Sequence, residues 1–270
     1  MDRIVSRLGV PARLAAAALA VALGLPALVP DAAHAQPAPA AARTGAQRVD
    51  AVEVELVAER AAIGADGVVE LGLRIAHDPH WHTYWRNPGD SGLATQVAPA
   101  GPAGARFDAL RWPAPQRMFV GPLANYGYEG EIVLPWRATV PASAVGSTVR
   151  FEAHAQWLVC KDVCIPGEAR VALELPVAAA GASPARARHA ALFDAAAKRI
   201  PDADAALSAR LHRDGRGVAL AFATPAGRDA IARAEFFPYP EGVVSAPAPQ
   251  PLARTADGWR LDLALADGAT

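Results

Sequence analysis

The sequence predicts an all-β chain, with an antiparallel β-sandwich followed by a short helix and a second β module. Three observations carry this. Apolar residues alternate with polar ones at the period of half-buried strands, as Val52, Val54 and Leu56 do against Glu53 and Glu55. Turn residues divide these runs at short intervals, at Asn87-Pro88-Gly89-Asp90, Pro99 to Gly104, Pro113 to Pro115 and Pro166-Gly167. Many short strands so divided pack as an antiparallel sandwich rather than as a parallel α/β sheet. After a break at Ala178 to Ala182, a second set of strand patterns follows a single stretch of helical spacing.

Taken in order, Arg3, Arg7 and Arg13 precede a nearly charge-free apolar run from Leu14 to Val29 and then Ala33-His34-Ala35. This predicts a secretory signal peptide over residues 1–35, because the run is short for a spanning helix and a small-residue cleavage site follows it. Residues 36–48 are rich in Ala and Pro without apolar period and are expected to be a flexible leader, with order beginning near Val49. Strands are expected at Val52 to Leu56, Val69 to Ile75, Arg106 to Trp112, Glu131 to Val140, Thr148 to Val159 and Ala169 to Val177, building a first module over 49–178. In the second, over 183–270, Ser183-Pro184 resembles an N-cap with proline at the first helical position. Leu192, Phe193, Ala196, Ala197 and Ile200 keep helical spacing, and Pro201 stops the helix. Strand patterns at Leu207 to His212, Gly217 to Thr224, Ala232 to Phe237 and Trp259 to Leu265 follow. This module is short for a sandwich of about 100 residues, so the chain is expected to be truncated.

Lys and Arg number 26 against 27 Asp and Glu, scattered along the chain. No basic face for nucleic acid and no acidic tail results.

The stretch WLVCKDVCIPGEA holds both cysteines, Cys160 and Cys164. Phe151, Ala153, Ala155, Trp157 and Val159 alternate with Glu152, His154 and Gln156, so Cys160 ends a strand and Cys164 begins its return. The pair brackets the tip of a hairpin-like connection, where a bond across the tip is geometrically reasonable. As a staple it is weak: a five-residue ring is worth roughly 2 kcal/mol against about 4.7 for a ring of a hundred residues. Lys161, Asp162 and Glu168 make the surroundings polar and open to a partner's sulfur. Redox work, a structural bridge and metal binding all remain open on these residues. The metal reading would need His77, His80 and His82 brought to the thiolates by the fold, and plain loop histidines are the simpler account. No metal site is assigned.

Trp81, His82, Tyr84 and Trp85 lie beside Pro88-Gly89, whose pairing predicts a type II turn, and Tyr126 and Tyr128 form a second aromatic cluster. Each cluster has two readings: aromatics that plug the end of the sandwich, or a cap that shields the disulfide and meets the partner.

WHTYWRNPGDSGLATQ, RWPAPQRMFVGPLANYGYEGEIVLP, CKDVCIPGEA and FFPYPEGVVSAPAPQPL together resemble the periplasmic N-terminal region of the DsbD/ScsB thiol:disulfide interchange proteins, more closely the ScsB-like branch. The resemblance implies two immunoglobulin-like modules, a periplasmic location and an electron relay that needs no cofactor because electrons travel as thiols. It makes Cys160 and Cys164 the redox pair, with Cys164 attacking the partner and Cys160 resolving, although their spacing here is shorter than in DsbD. The implied partners are thioredoxin-fold or peroxiredoxin-like periplasmic proteins. The implied electron donor is a membrane domain that this sequence does not contain, as in a fragment or a free-standing module. The second module, without cysteine, is expected to be a scaffold. The alternative is a non-catalytic immunoglobulin-like binding module with a structural disulfide, tied to copper tolerance.

Overall fold

The computed structural model describes residues 41–201, 208–214, 217–223 and 231–267. The expected signal peptide lies outside them. In chain order the strands are β1 (Arg43–Thr44), β2 (Gln47–Val49), β3 (Val52–Ala58), β4 (Val68–His77), β5 (His82–Gly89), β6 (Gln96–Ala100), β7 (Arg106–Phe107) and β8 (Gln116–Val120). Then come β9 (Leu123–Glu129), β10 (Glu131–Thr139), β11 (Thr148–Cys160), β12 (Cys164–Pro176), helix α1 (Ala190–Arg199), β13 (Ser208–Asp214), β14 (Gly217–Ala223), β15 (Leu252–Thr255) and β16 (Gly258–Ala264). The chain is mostly β, as its alternation predicts.

Seven strands form one sheet in the order β1-β12-β11-β5-β9-β8, with β6 also paired to β11, and five form a second in the order β2-β3-β4-β10-β7. The alternating apolar residues meet between them. Val52, Val54 and Leu56 of β3, Leu71, Leu73 and Ile75 of β4 and Leu134 and Trp136 of β10 share one core with Phe151, Trp157 and Val159 of β11 and Tyr126 and Tyr128 of β9. On the outer face of the five-stranded sheet, Phe193 and Ala196 of α1 cover Val57 and Val133. A four-stranded sheet, β13-β14-β16-β15, has its own apolar cluster of Phe222, Val244, Leu261 and Leu263.

Several elements depart from the sequence prediction. In its described part the expected flexible leader is ordered: Arg43 and Thr44 pair in parallel with β12, and the Gln47 side chain donates to the Arg170 carbonyl at 2.7 Å. The helix starts at Ala190 rather than beside Ser183-Pro184, and no side chain caps it. The preceding residues are committed elsewhere, since Ala61 N–H donates to Ala185 O and Ala187 N–H to Glu59 O. The Arg106 to Trp112 run keeps only Arg106–Phe107 as strand, and Asp108 and Arg111 then donate singly to Arg137 O and Pro135 O.

Ala232 to Phe237 forms no strand. The Gln250 side chain takes the place of a neighbouring strand, accepting from Phe236 N–H at 2.7 Å and donating to Phe236 O at 3.0 Å. Alternation alone therefore misled here, because a side-chain amide satisfies the same backbone groups that a ladder would. From this point the chain runs as a strap over the first two sheets. Phe237 packs on their core and Ala246 is buried within it. Asn87 donates to Pro238 O at 2.8 Å and Pro240 O at 3.0 Å, while Arg117 donates to Ala248 O at 2.8 Å and lies 3.5 Å from Glu235.

Candidate functional site

Strands β11 and β12 pair in unbroken register from Thr148 opposite Pro176 to Cys160 opposite Cys164. Lys161, Asp162 and Val163 form the turn, closed by Lys161 N–H donating to Val163 O at 3.0 Å. Gly167 stands opposite Trp157 because a Cβ there would meet the indole at 2.6 Å. The indole fills the space over Gly167 and belongs to the core. A disulfide joins Cys160 to Cys164 across the tip, with Cα atoms 4.1 Å apart.

The two sulfurs are not equivalent. Cys160 is 2% exposed, whereas Cys164 and the preceding turn residue Val163 are exposed. A group approaching from outside meets Cys164 before Cys160.

Strand β5 supplies the wall beside the bond. His82 is the register partner of Cys160 and is buried, and its Nε2 has no hydrogen-bond partner. Two residues on, the Tyr84 hydroxyl lies 3.9 Å from Cys164 Sγ, and the His82 and Tyr84 rings meet edge to face at 5.3 Å. Tyr84 is itself covered: a Cβ on Gly92, whose φ is +111°, would fall 2.2 Å from its ring, and Ala94 bridges to Tyr84. Only glycine fits that close approach in that backbone conformation.

Burial sets the electrostatics. It raises the Tyr84 phenol above its ordinary value, so Tyr84 stays a hydrogen-bond donor. It holds His82 below the usual histidine value against the opposing attraction of Glu129. His77 is pushed down to about 4, mainly by burial. In the neutral form its Nδ1 donates to Gly130 O at 2.6 Å and its Nε2 accepts from the Thr83 hydroxyl at 2.9 Å. Among the described residues no three His, Cys, Asp or Glu side chains are grouped to hold a metal ion.

Of the aromatics singled out by sequence, the fold brings His82 and Tyr84 to the disulfide. Trp81 is partly buried against the core, and Trp85, Tyr126 and Tyr128 belong to that core on the other side of the sheet. Trp85 and Tyr126 meet Phe237 of the strap at 6.1 Å and 5.1 Å. The Tyr128 hydroxyl donates to Pro113 O at 2.7 Å. Burial pushes the Tyr126 phenol up to about 12 and also raises that of Tyr128. Sequence reasoning missed Asn87, read only as part of a turn, and Glu129, which pairs in register with His82. Their partners are remote in sequence, so no local pattern marks them.

Fold and site together define an all-β protein that presents one sulfur of a hairpin-tip disulfide to its surroundings. Residues 51–176 match the family model described as thiol:disulfide interchange protein DsbD, N-terminal. This part of the chain belongs to the DsbD N-terminal domain family. The fold is shared with the N-terminal periplasmic domain of ScsB from Proteus mirabilis, at 19% identity and a TM-score of 0.60, over 84% of this chain and 86% of that one. No curated protein matches. Among the described residues no helix is long and apolar enough to cross a membrane.

Proposed function

We propose that the chain is a periplasmic dithiol/disulfide relay that reduces oxidised partner proteins through Cys160 and Cys164. The observation that carries this is the asymmetry of the bond, with Cys164 exposed and Cys160 buried directly behind it. In the reduced state the Cys164 thiolate attacks one sulfur of the partner disulfide, forming a mixed disulfide and releasing the partner's other sulfur as a thiolate. The Cys160 thiolate then attacks Cys164 Sγ, re-forming the internal bond and expelling the second partner thiolate. Two electrons pass to the partner, whose two thiolates take up protons, and the chain is left oxidised. Tyr84 assists the first step by donating a hydrogen bond to the Cys164 thiolate, which favours the reactive form.

The partners on this reading are thioredoxin-fold or peroxiredoxin-like proteins, and a membrane domain returns the electrons. The signal-peptide pattern of residues 1–35 and the periplasmic origin of the ScsB domain support the location. The same reading divides the chain into two immunoglobulin-like modules, 49–178 and 183–270. In its support, the first two sheets share one core while the four-stranded sheet has its own apolar cluster.

Trapping tests the proposal. With Cys160→Ala expressed in the periplasm, covalent complexes that dissolve on reduction are expected on non-reducing gels, and Cys164→Ala should yield none. Equal trapping by both variants, or by neither, would count against it.

A further inference from the structure

Four residues that bear proton or thiol chemistry stand in one row across four adjacent strands of the seven-stranded sheet. Cys164 of β12 pairs with Cys160 of β11, Cys160 with His82 of β5, and His82 with Glu129 of β9. Side chains of directly opposed residues project from the same face of a sheet, with their Cβ atoms about 5 Å apart. Val159, next to Cys160, belongs to the core, so the row lies on the outer face, where Tyr84 also meets Cys164.

Within this row one group is unexplained. His82 is 4% exposed, and its Nε2 is buried without a partner. An orphaned polar atom in the interior forfeits its hydration without a replacement bond, so its retention calls for a reason. In the disulfide form its neighbour Cys160 carries no proton to share. Reduction changes that, because it creates an S–H on the adjacent strand.

We propose that Cys160, His82 and Glu129 form a proton relay for the resolving step, with His82 as the base that activates Cys160; this rests on the thiol-exchange function proposed above. With its proton on Nδ1, neutral His82 accepts the Cys160 thiol proton at Nε2. The resulting thiolate attacks Cys164 Sγ of the mixed disulfide, the Cys160–Cys164 bond forms, and the bond from Cys164 to the partner breaks. The departing partner thiolate takes its proton from the imidazolium, so no proton is gained or lost by the row. Glu129 stabilises the intermediate imidazolium, as a carboxylate behind the histidine does in other nucleophile–base arrangements. The groups facing His82 are Cys160 on β11, Tyr84 on β5 and Glu129 on β9, and the charge of protonated His82 acts against protonation of His77 on β4.

Stopped-flow reaction of the reduced full chain with dithiodipyridine separates the two steps, since attack by Cys164 releases the first pyridinethione and closure by Cys160 the second. In His82→Gln the first release should keep its rate, while the second should slow at neutral pH by at least about tenfold, the lower range of general-base effects. In Glu129→Gln the rise of the closure rate with pH should move to lower pH, because the anion that favours imidazolium is gone. A folded His82→Gln chain that closes at the parent rate would overturn the proposal, as would an unmoved profile in Glu129→Gln. If His82→Gln does not fold, ring-nitrogen NMR of the unmutated protein decides. Reduction should move the His82 Nε2 resonance, and an unmoved resonance would overturn the relay. Failure of the function itself would look different: Cys160→Ala would then trap no partner in the periplasm, whatever the rate of closure in the unmutated chain.

Discussion

Replacing Asn87 tests whether the strap is part of the fold that holds β5. The side chain is 2% exposed and makes three hydrogen bonds, all to backbone. Nδ2 donates to Pro238 O at 2.8 Å and Pro240 O at 3.0 Å, and Oδ1 accepts from Gly89 N–H at 2.9 Å. At about 1 kcal/mol net for each bond, Asn87→Ala should lose about 3 kcal/mol, and more where a carbonyl stays buried and unpaired. Asn87→Asp keeps the shape but turns both donors into a carboxylate facing two carbonyls, so it should be at least as destabilising at neutral pH. Urea unfolding of the full chain, followed by tryptophan fluorescence and by circular dichroism, measures both. The fluorescence is informative because Trp85 packs on Phe237 and Tyr239 of the strap. A loss below about 1 kcal/mol with an unchanged slope, or an Asp variant milder than Ala, would refute the claim that these contacts hold the strap.

Tyr84→Phe removes the hydroxyl that meets Cys164, so alkylation of reduced Cys164 by iodoacetamide at neutral pH should slow about fivefold, the equivalent of about 1 kcal/mol; an unchanged rate would leave Tyr84 a packing residue. Gly92→Ala places a Cβ 2.2 Å from the Tyr84 ring at a φ of +111° and should destabilise the fold by about 2 kcal/mol while speeding reduction of the disulfide by dithiothreitol. His77 has a folded value of about 4 against an ordinary 6.5, so the unfolded chain takes up its proton first as pH falls. The stability it protects is complete above about pH 6.5 and is lost on the way down to pH 4. It is worth at most about 3 kcal/mol, and less because the ring is only half-buried. Urea midpoints measured across that window should fall more steeply for the parent than for His77→Gln.

What the sequence disclosed was local. Alternation from Phe151 to Val159 and the return through Val171 and Leu175 placed Cys160 and Cys164 at a hairpin tip, because a two-residue period and a short turn fix which residues face each other. The aromatic clusters were equally visible, yet their alternation could not say that Tyr84 would meet a sulfur while Trp85 entered the core. That division depends on β5 pairing with β11 across 78 residues, set by the register Cys160 to His82, and no local pattern encodes it. The strap was hidden for a related reason: Ala232 to Phe237 has the look of a strand, but the Phe236 backbone pairs with the Gln250 side chain, and the carbonyls of Pro238 and Pro240 are held by Asn87 from 151 and 153 residues away. The missed helix start follows the same rule, since Ala185 and Ala187 spend their backbone groups on the Glu59 to Ala61 edge.

The reduction potential of the Cys160–Cys164 bond tests the central claim most directly. The full chain is equilibrated in graded dithiothreitol buffers, alkylated and weighed by mass spectrometry. A relay that must alternate between dithiol and disulfide should titrate above about −300 mV, whereas a value well below about −300 mV would mark a bond built to stay closed and would contradict the account.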